Sequence, residues 1–354
     1  MSQKEESQFE ESVRKVARGL WPTANVTSAV NLYGRERDGF FETKEAIHII
    51  EATMSRRKDE IISKLSKTHD LAKNLRRDQG EKFVKVWIIT KDSPTSDQNN
   101  EKVKYSKKNK ISTVLENYAS FSSRIIDGEA YLNLRENYQF GSIQKPGEER
   151  VETVPDSDYI PQTLFDINYS SQFGVDDPNL FSPSSSGVFL ILGEYGSGKS
   201  MTLRHIFNKM SKEYRSECAI KFPIYLNLRD HFGQDDPSEA LFRHANRIGF
   251  SDANSLIAAW RAGFVDIFLD GFDELSSTRL VRGIKKLKIA RKEAVKLVYS
   301  FIHNTPKGSS IFLGGRLNYF DSKDEMWSAL GLPAASKAYN LSEFTDEQVR
   351  EYLS

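Results

Sequence analysis

The eight residues Gly193, Glu194, Tyr195, Gly196, Ser197, Gly198, Lys199 and Ser200 have the types and spacing that hold a polyphosphate. The glycines let the chain curl until its N–H groups point inward at phosphate oxygens, a conformation that a Cβ would oppose. Lys199 would neutralise β- and γ-phosphate charge, Ser200 would ligate Mg2+, and a helix opening near Met201 would add the field of its N-terminus. The apolar run GVFLIL before the loop and the helical pattern after it supply the strand and helix that this Walker A motif requires.

A second group of acids fits the same chemistry. In FVDIFLDGFDEL, residues 264 to 275, a buried-type strand ends at Asp270, and Asp273 and Glu274 follow. A carboxylate at the C-terminal end of a parallel strand can hold Mg2+, so Asp270 is the Walker B candidate. Asp273 and Glu274 are candidates to orient or deprotonate an attacking water. A third strand, SSIFLGGRLNYF, delivers Arg316 just past its end, where a cation could sense the γ-phosphate. A surface-paired arginine is the plainer alternative.

The first half carries a different pair of acids. In GRERDGFFETKEAIHIIEATMSRRKDEIISK, residues 34 to 64, Asp38 is expected in a turn after a first strand and Glu51 within the next strand. Two carboxylates at one end of a small sheet suit one or two Mg2+ ions activating water against a phosphodiester.

The elements around these residues are legible in outline. Phe9, Val13, Val16, Ala17 and Leu20 recur at helical spacing up to the Trp21-Pro22 pair. AIHIIEAT (46–53) and KFVKVWIIT (82–90) read as strands, with a cation-rich helix from about Lys58 to Arg77 between them. Between residues 146 and 177, Glu148, Glu149, Glu152, Asp156, Asp158, Asp166, Asp176 and Asp177 face one cation, Arg150, and SPSSSG follows at 182–187. This predicts an acidic connector, or merely a solvated loop. The expected organisation is an α/β domain at 1–145, the connector at 146–186 and a three-layer α/β/α P-loop domain with a parallel sheet at 187–354.

Composition narrows the class. The 354 residues are 38% hydrophobic and 28% charged, which suits two globular domains and excludes a fibrous or wholly disordered chain. Fifty Lys and Arg against 49 Asp and Glu give a formal charge of +1, so electrostatic targeting must be local. Local surpluses exist: residues 56–110 hold sixteen Lys and Arg against eight Asp and Glu, which modestly favours a nucleic-acid partner. Residues 279–301 hold eight cations (Arg279, Arg282, Lys285, Lys286, Lys288, Arg291, Lys292 and Lys296), by default a solvated face. The single Cys218 excludes an internal disulfide framework, and the histidines, His48 and His69 among them, read as packing or surface residues. No apolar stretch approaches a spanning helix, so the expected setting is cytoplasmic with no membrane partner.

GEYGSGKS, the doubled-acid LDGFDEL, Arg316 after a third strand, FPIYLNLRD at 222–230 and LSEFTDEQVREYL at 341–353 together resemble a NACHT domain, the STAND class of P-loop NTPases. The resemblance covers roughly residues 155–354. It implies an ATP/ADP-controlled switch with Mg2+, slow hydrolysis and self-association into a homo-oligomer on activation. It also implies bacterial antiviral defence, with a phage-derived trigger read by a C-terminal sensor that this chain lacks, so the chain is expected to be a fragment. GGRLN stands where the family commonly has TSRP, a departure that bears on Arg316.

The layout of Asp38 and Glu51, with Glu10 or Glu11 on the preceding helix, resembles the PD-(D/E)XK restriction-endonuclease fold. That implies an N-terminal Mg2+-dependent nuclease acting on DNA. The motif's usual lysine position holds Thr53 in Glu51-Ala52-Thr53, so the ammonium must come from the following helix, from Lys58 or Lys64, with Lys58 preferred. The alternative is an inactive nuclease fold serving as a signalling scaffold for binding or multimerisation.

Overall fold

The structure is a computed structural model describing residues 3–25, 27–32, 35–78, 82–141, 159–167, 171–177, 180–181, 186–216, 219, 221–275 and 284–353. Glu148, Glu149, Arg150, Glu152, Asp156, Asp158, Cys218, Arg279 and Arg282, together with the side chains of Lys285 and Lys286, lie outside what is described. The chain divides into two compact units, Met1–Asp127 and Gly128–Ser354.

The first unit opens with α1 (Gln3–Leu20). A meander follows of β1 (Thr27–Leu32), β2 (Arg35–Glu42) and β3 (Ala46–Thr53), then α2 (Lys58–Asp78), β4 (Phe83–Thr90), α3 (Ser96–Asn109), β5 (Ser112–Asn117) and α4 (Tyr118–Ser123). The strands lie in chain order in one sheet. The first three are antiparallel, and β4 and β5 continue parallel to β3. A parallel step needs a crossover, which α2 provides.

One face of the sheet presents Phe40, Ile47, Ile49, Val84, Val86 and Ile88 to the apolar stripe of α2, where Ile61, Leu65, Ala72 and Leu75 are buried. Each of these side chains larger than alanine contributes about 1.5–3 kcal/mol on burial. The other face packs Trp21 on His48, ring centroids 3.9 Å apart, and Trp87 against Phe121. His48 and His69 are buried and hydrogen-bonded, to Trp87 and to Asn109 and Thr113 respectively, as packing residues are.

The second unit begins with α5 (Gly128–Glu136), then β6 (Thr163–Asp166), β7 (Gln172–Gly174), β8 (Gly187–Leu192), α6 (Lys199–Arg215) and β9 (Phe222–Asn227). It continues through α7 (Pro237–Ile248), α8 (Ala253–Arg261), β10 (Val265–Asp270), α9 (Ile284–Ala294), α10 (Lys296–Asn304), β11 (Ser310–Gly315), α11 (Lys323–Leu330), β12 (Lys337–Leu341) and α12 (Asp346–Leu353). The sheet order is β7-β6-β12-β8-β11-β10-β9. Strands β8 to β12 are mutually parallel, and β6 and β7 add an antiparallel margin. Strands β9, β10 and β11 are buried at every position, as a parallel sheet covered on both faces demands.

Two expected boundaries move. Residues 128–136, placed with the first half on sequence, belong to the second unit, where buried Arg135 donates to the Tyr225 carbonyl of β9 at 2.9 Å. The expected connector is also not all linker, because Thr163–Asp166 pairs with β12 and extends the sheet.

Candidate functional site

In the second unit the sequence dictates strand, loop and helix in immediate succession. β8 ends at Leu192, the loop turns through Gly196 at φ +78° and Gly198 at φ +92°, and α6 begins at Lys199. Both glycines hold conformations that a side chain would strain. A Cβ at 198 would also lie 2.6 Å from the Gln162 side-chain oxygen Oε1. Lys199 Nζ donates to the loop carbonyl of Glu194 at 2.6 Å, and burial pulls its ammonium below the ordinary lysine range. Glu194 Oε2 accepts from Asn318, while Tyr195 projects into solvent, 89% exposed.

Asp270 ends β10, one strand removed from β8 because β11 lies between them. The Ser200 hydroxyl nevertheless reaches its carboxylate, and the Tyr225 hydroxyl donates to Oδ2 at 2.8 Å. Burial pushes this carboxyl up, and the Ser200 and Tyr225 hydrogen bonds work against that rise. Arg316, just past β11, donates from its backbone N–H to Asp273 Oδ1 at 3.2 Å and from Nε to Oδ2. The expected cation is therefore engaged by one of the expected acids, and Glu274 is the exposed one of the pair.

Hard oxygen donors, with glycine rather than a Cβ facing them, fit Mg2+ between Ser200 and Asp270. Among the described residues no three His, Cys, Asp or Glu side chains gather as a metal cage. A cation here would take its remaining ligands from phosphate and water.

Sequence reading missed three contributors. Gln162 donates to the carbonyls of Ser197 and Ser342, at 3.0 and 3.1 Å. Tyr159 bonds Thr202 and stacks on His205. Tyr225 supports Asp270. All three lie far from the loop in sequence, and no local spacing signals them.

In the first unit Asp38 lies in β2, not in a turn. β2 already runs from Arg35, and Asp38 falls where its register with β1 shifts, between Val30↔Arg37 and Ser28↔Phe40. Gly39 pairs with Ile50, which sets Asp38 beside Glu51 on the adjacent strand. Asp38 Oδ2 accepts the Ala52 N–H at 2.8 Å.

Lys64 Nζ stands 3.6 Å from Asp38 Oδ2 and 3.4 Å from Glu51 Oε2. Lys58, the preferred donor on sequence, instead pairs with Glu101 at 3.6 Å. The reason is helical phase. Thr53 and Glu51, two apart on β3, point the same way and meet Glu60 and Lys64, four apart on α2. Lys58 opens the helix on another side.

Burial and then the Asp38 charge raise the Glu51 carboxyl. Burial works to lower Lys64, but the fields of Asp38 and Glu51 prevail and hold it above the ordinary lysine value. Buried Arg37 pairs with Glu51 Oε1 at 3.1 Å. Of the two helix acids, Glu10 feels Asp38, while Glu11 is engaged by Arg14 and Arg18. Two carboxylates converging on one ammonium fit a divalent cation site.

The basic surplus of 56–110 is partly neutralised locally, through Arg56–Asp92, Arg57–Asp59 and Lys104–Glu101. In the 279–301 run Arg291 is structural, paired with Asp321 and Glu325. No described helix is long and apolar enough to cross a membrane.

No curated protein matches the chain. Residues 187–354, which carry the phosphate loop, Asp270 and Arg316, match the family model described as NACHT domain, a match that supports a nucleotide-binding P-loop NTPase in this part of the chain.

Proposed function

We propose that the chain is an ATP/ADP-controlled, self-associating switch of bacterial antiphage defence whose first unit is a Mg2+-dependent nuclease acting on DNA. The observation that carries the nuclease reading is the Lys64 ammonium shared by Asp38 and Glu51 on a helix, three-stranded meander, helix, parallel strand framework.

Asp38 and Glu51 would hold the cation, which when bound supplies Lewis-acid polarisation of a phosphoryl oxygen and a more acidic water. Lys64 stays protonated and presents its charge where the phosphodiester gains negative charge, the place of the lysine absent at Thr53. In the second unit Lys199 and the loop N–H groups bind the phosphates, and Ser200 and Asp270 would hold Mg2+. Glu274 orients the attacking water, while Asp273 anchors Arg316. ATP would bring NTPase domains together and nuclease units with them, with a phage-derived trigger as input.

Thr53 at the lysine position and the Arg37–Glu51 ion pair favour a second reading, an inactive nuclease fold used as a scaffold. Plasmid nicking with Mg2+ on oligomeric protein separates the two. Cleavage by wild type, lost in Asp38→Ala and Glu51→Ala, supports the nuclease, whereas an oligomer that never cuts supports the scaffold. Lys199→Ala should abolish nucleotide binding, and unchanged affinity would refute the phosphate-loop assignment.

A further inference from the structure

The Asp270 carboxylate is bracketed by two glycines. A Cβ on Gly314 of β11 would lie 2.7 Å from Oδ1, and one on Gly141 would overlap Oδ2 and lie 2.6 Å from the Ser200 hydroxyl. Gly314 belongs to the neighbouring strand, so its closeness follows from the sheet. Gly141 does not: it lies outside the 187–354 span, at the end of the short stretch that follows α5, with φ +55°.

That stretch is tied down by buried polar contacts. Asn227, at the end of β9, accepts the Gly141 N–H at 2.7 Å and donates to the Gln139 carbonyl at 2.9 Å. Arg135 donates to the carbonyls of Tyr225 and Tyr138 and lies over the Phe140 ring at 3.9 Å. Phe140 meets Tyr225 edge-on, centroids 4.9 Å apart, and the Tyr225 hydroxyl reaches Asp270 Oδ2. Covering the end of β9 would explain the aromatic and arginine contacts. It does not explain why a left-handed glycine is presented to the two oxygens that would hold Mg2+, where any side chain would crowd both of them.

We propose that Gln139–Gly141 is a wall of the metal side of the nucleotide site, and that Tyr225 and Asn227 are positioning residues, Tyr225 fixing Asp270 and Asn227 fixing Gly141. The proposal rests on the P-loop NTPase reading and extends that site to residues upstream of the matched domain.

The test measures binding of a fluorescent ADP analogue to the full chain in EDTA and across a Mg2+ titration, for wild type, Tyr225→Phe, Asn227→Ala, Gly141→Ala and Lys199→Ala. Tyr225→Phe keeps the ring packing and loses only the hydroxyl. The three wall variants should need about tenfold more Mg2+ for half its effect, the loss usual for groups that support a metal ligand, with EDTA affinity unchanged. Lys199→Ala should lose affinity in both conditions. Wild-type Mg2+ dependence in Tyr225→Phe and Gly141→Ala, with Lys199→Ala still defective, overturns the wall while sparing the phosphate loop. Equal loss by Tyr225→Phe with and without Mg2+ also overturns it, because the hydroxyl would then serve folding. Normal binding by Lys199→Ala would overturn the NTPase reading itself.

Discussion

Asp270 in the second unit is supported by hydroxyls, those of Tyr225 and Ser200, whereas Asp38 and Glu51 in the first are supported by cations, Lys64 and Arg37. A hydroxyl orients a carboxylate without cancelling its charge, so Asp270 keeps its attraction for an incoming cation. An ammonium or guanidinium cancels much of that charge in advance. Metal binding at Asp38 and Glu51 therefore competes with the protein's own cations. The lesson is that two acid sites on one chain can differ in charge balance, one held by neutral hydroxyls and the other already compensated by Lys64 and Arg37.

The largest expected effect sharpens the NTPase side. Glu274→Gln should slow ATP hydrolysis on the order of 10²–10⁴-fold with nucleotide affinity intact, as loss of a general base does. Asp273→Asn should act through Arg316 and cost less, about tenfold, the scale of losing a supporting residue. Phosphate-release assays on both variants decide the assignment, and the reverse ranking would make Asp273 the base.

In the first unit Lys64→Met should reduce plasmid nicking by roughly 10²–10³-fold, the scale of removing one transition-state donor, while Lys58→Met leaves it unchanged. Equal effects would break the idea that cation support at the acid pair is specific. Next comes Arg37→Met. It leaves Glu51 buried without its guanidinium, and the first unit should lose about 3 kcal/mol in denaturant unfolding.

The last comparison concerns pH, where the half-buried rings keep the effect below the full size of their shifts. Burial holds His48 and His69 at about 4 when folded, against 6.5 for the free side chain. Between these values the unfolded chain binds more protons, so stability of the first unit is full above about 6.5 and falls as pH drops toward 4. His69→Gln should flatten that slope, read by hydrogen exchange in β3 and β4.

The two sites were unequally legible in sequence. Gly193 to Ser200 and Asp270 with Asp273 and Glu274 are short local runs flanked by apolar strand blocks, so motif and context together mark them as candidates. The pairing of Asp38 with Glu51 was readable as neighbouring strands, but the lysine was not, because choosing Lys64 over Lys58 needs the phase of α2 against β3. The Glu60-to-Lys64 interval opposite Thr53 and Glu51 held that information. Tyr225, Gln162 and Gly141 reach the nucleotide site only through tertiary approach, and no periodicity announces them.

Two glutamines knit distant parts of the second unit together. Gln162 joins the phosphate loop at Ser197 to Ser342, just after β12, and Gln348 of α12 donates to the neighbouring Pro161 carbonyl at 2.8 Å. The phosphate loop and α12 thus share one seam through Pro161 and Gln162. Gln348→Ala should therefore loosen the segment that carries Gln162, and the seating of Ser197 with it.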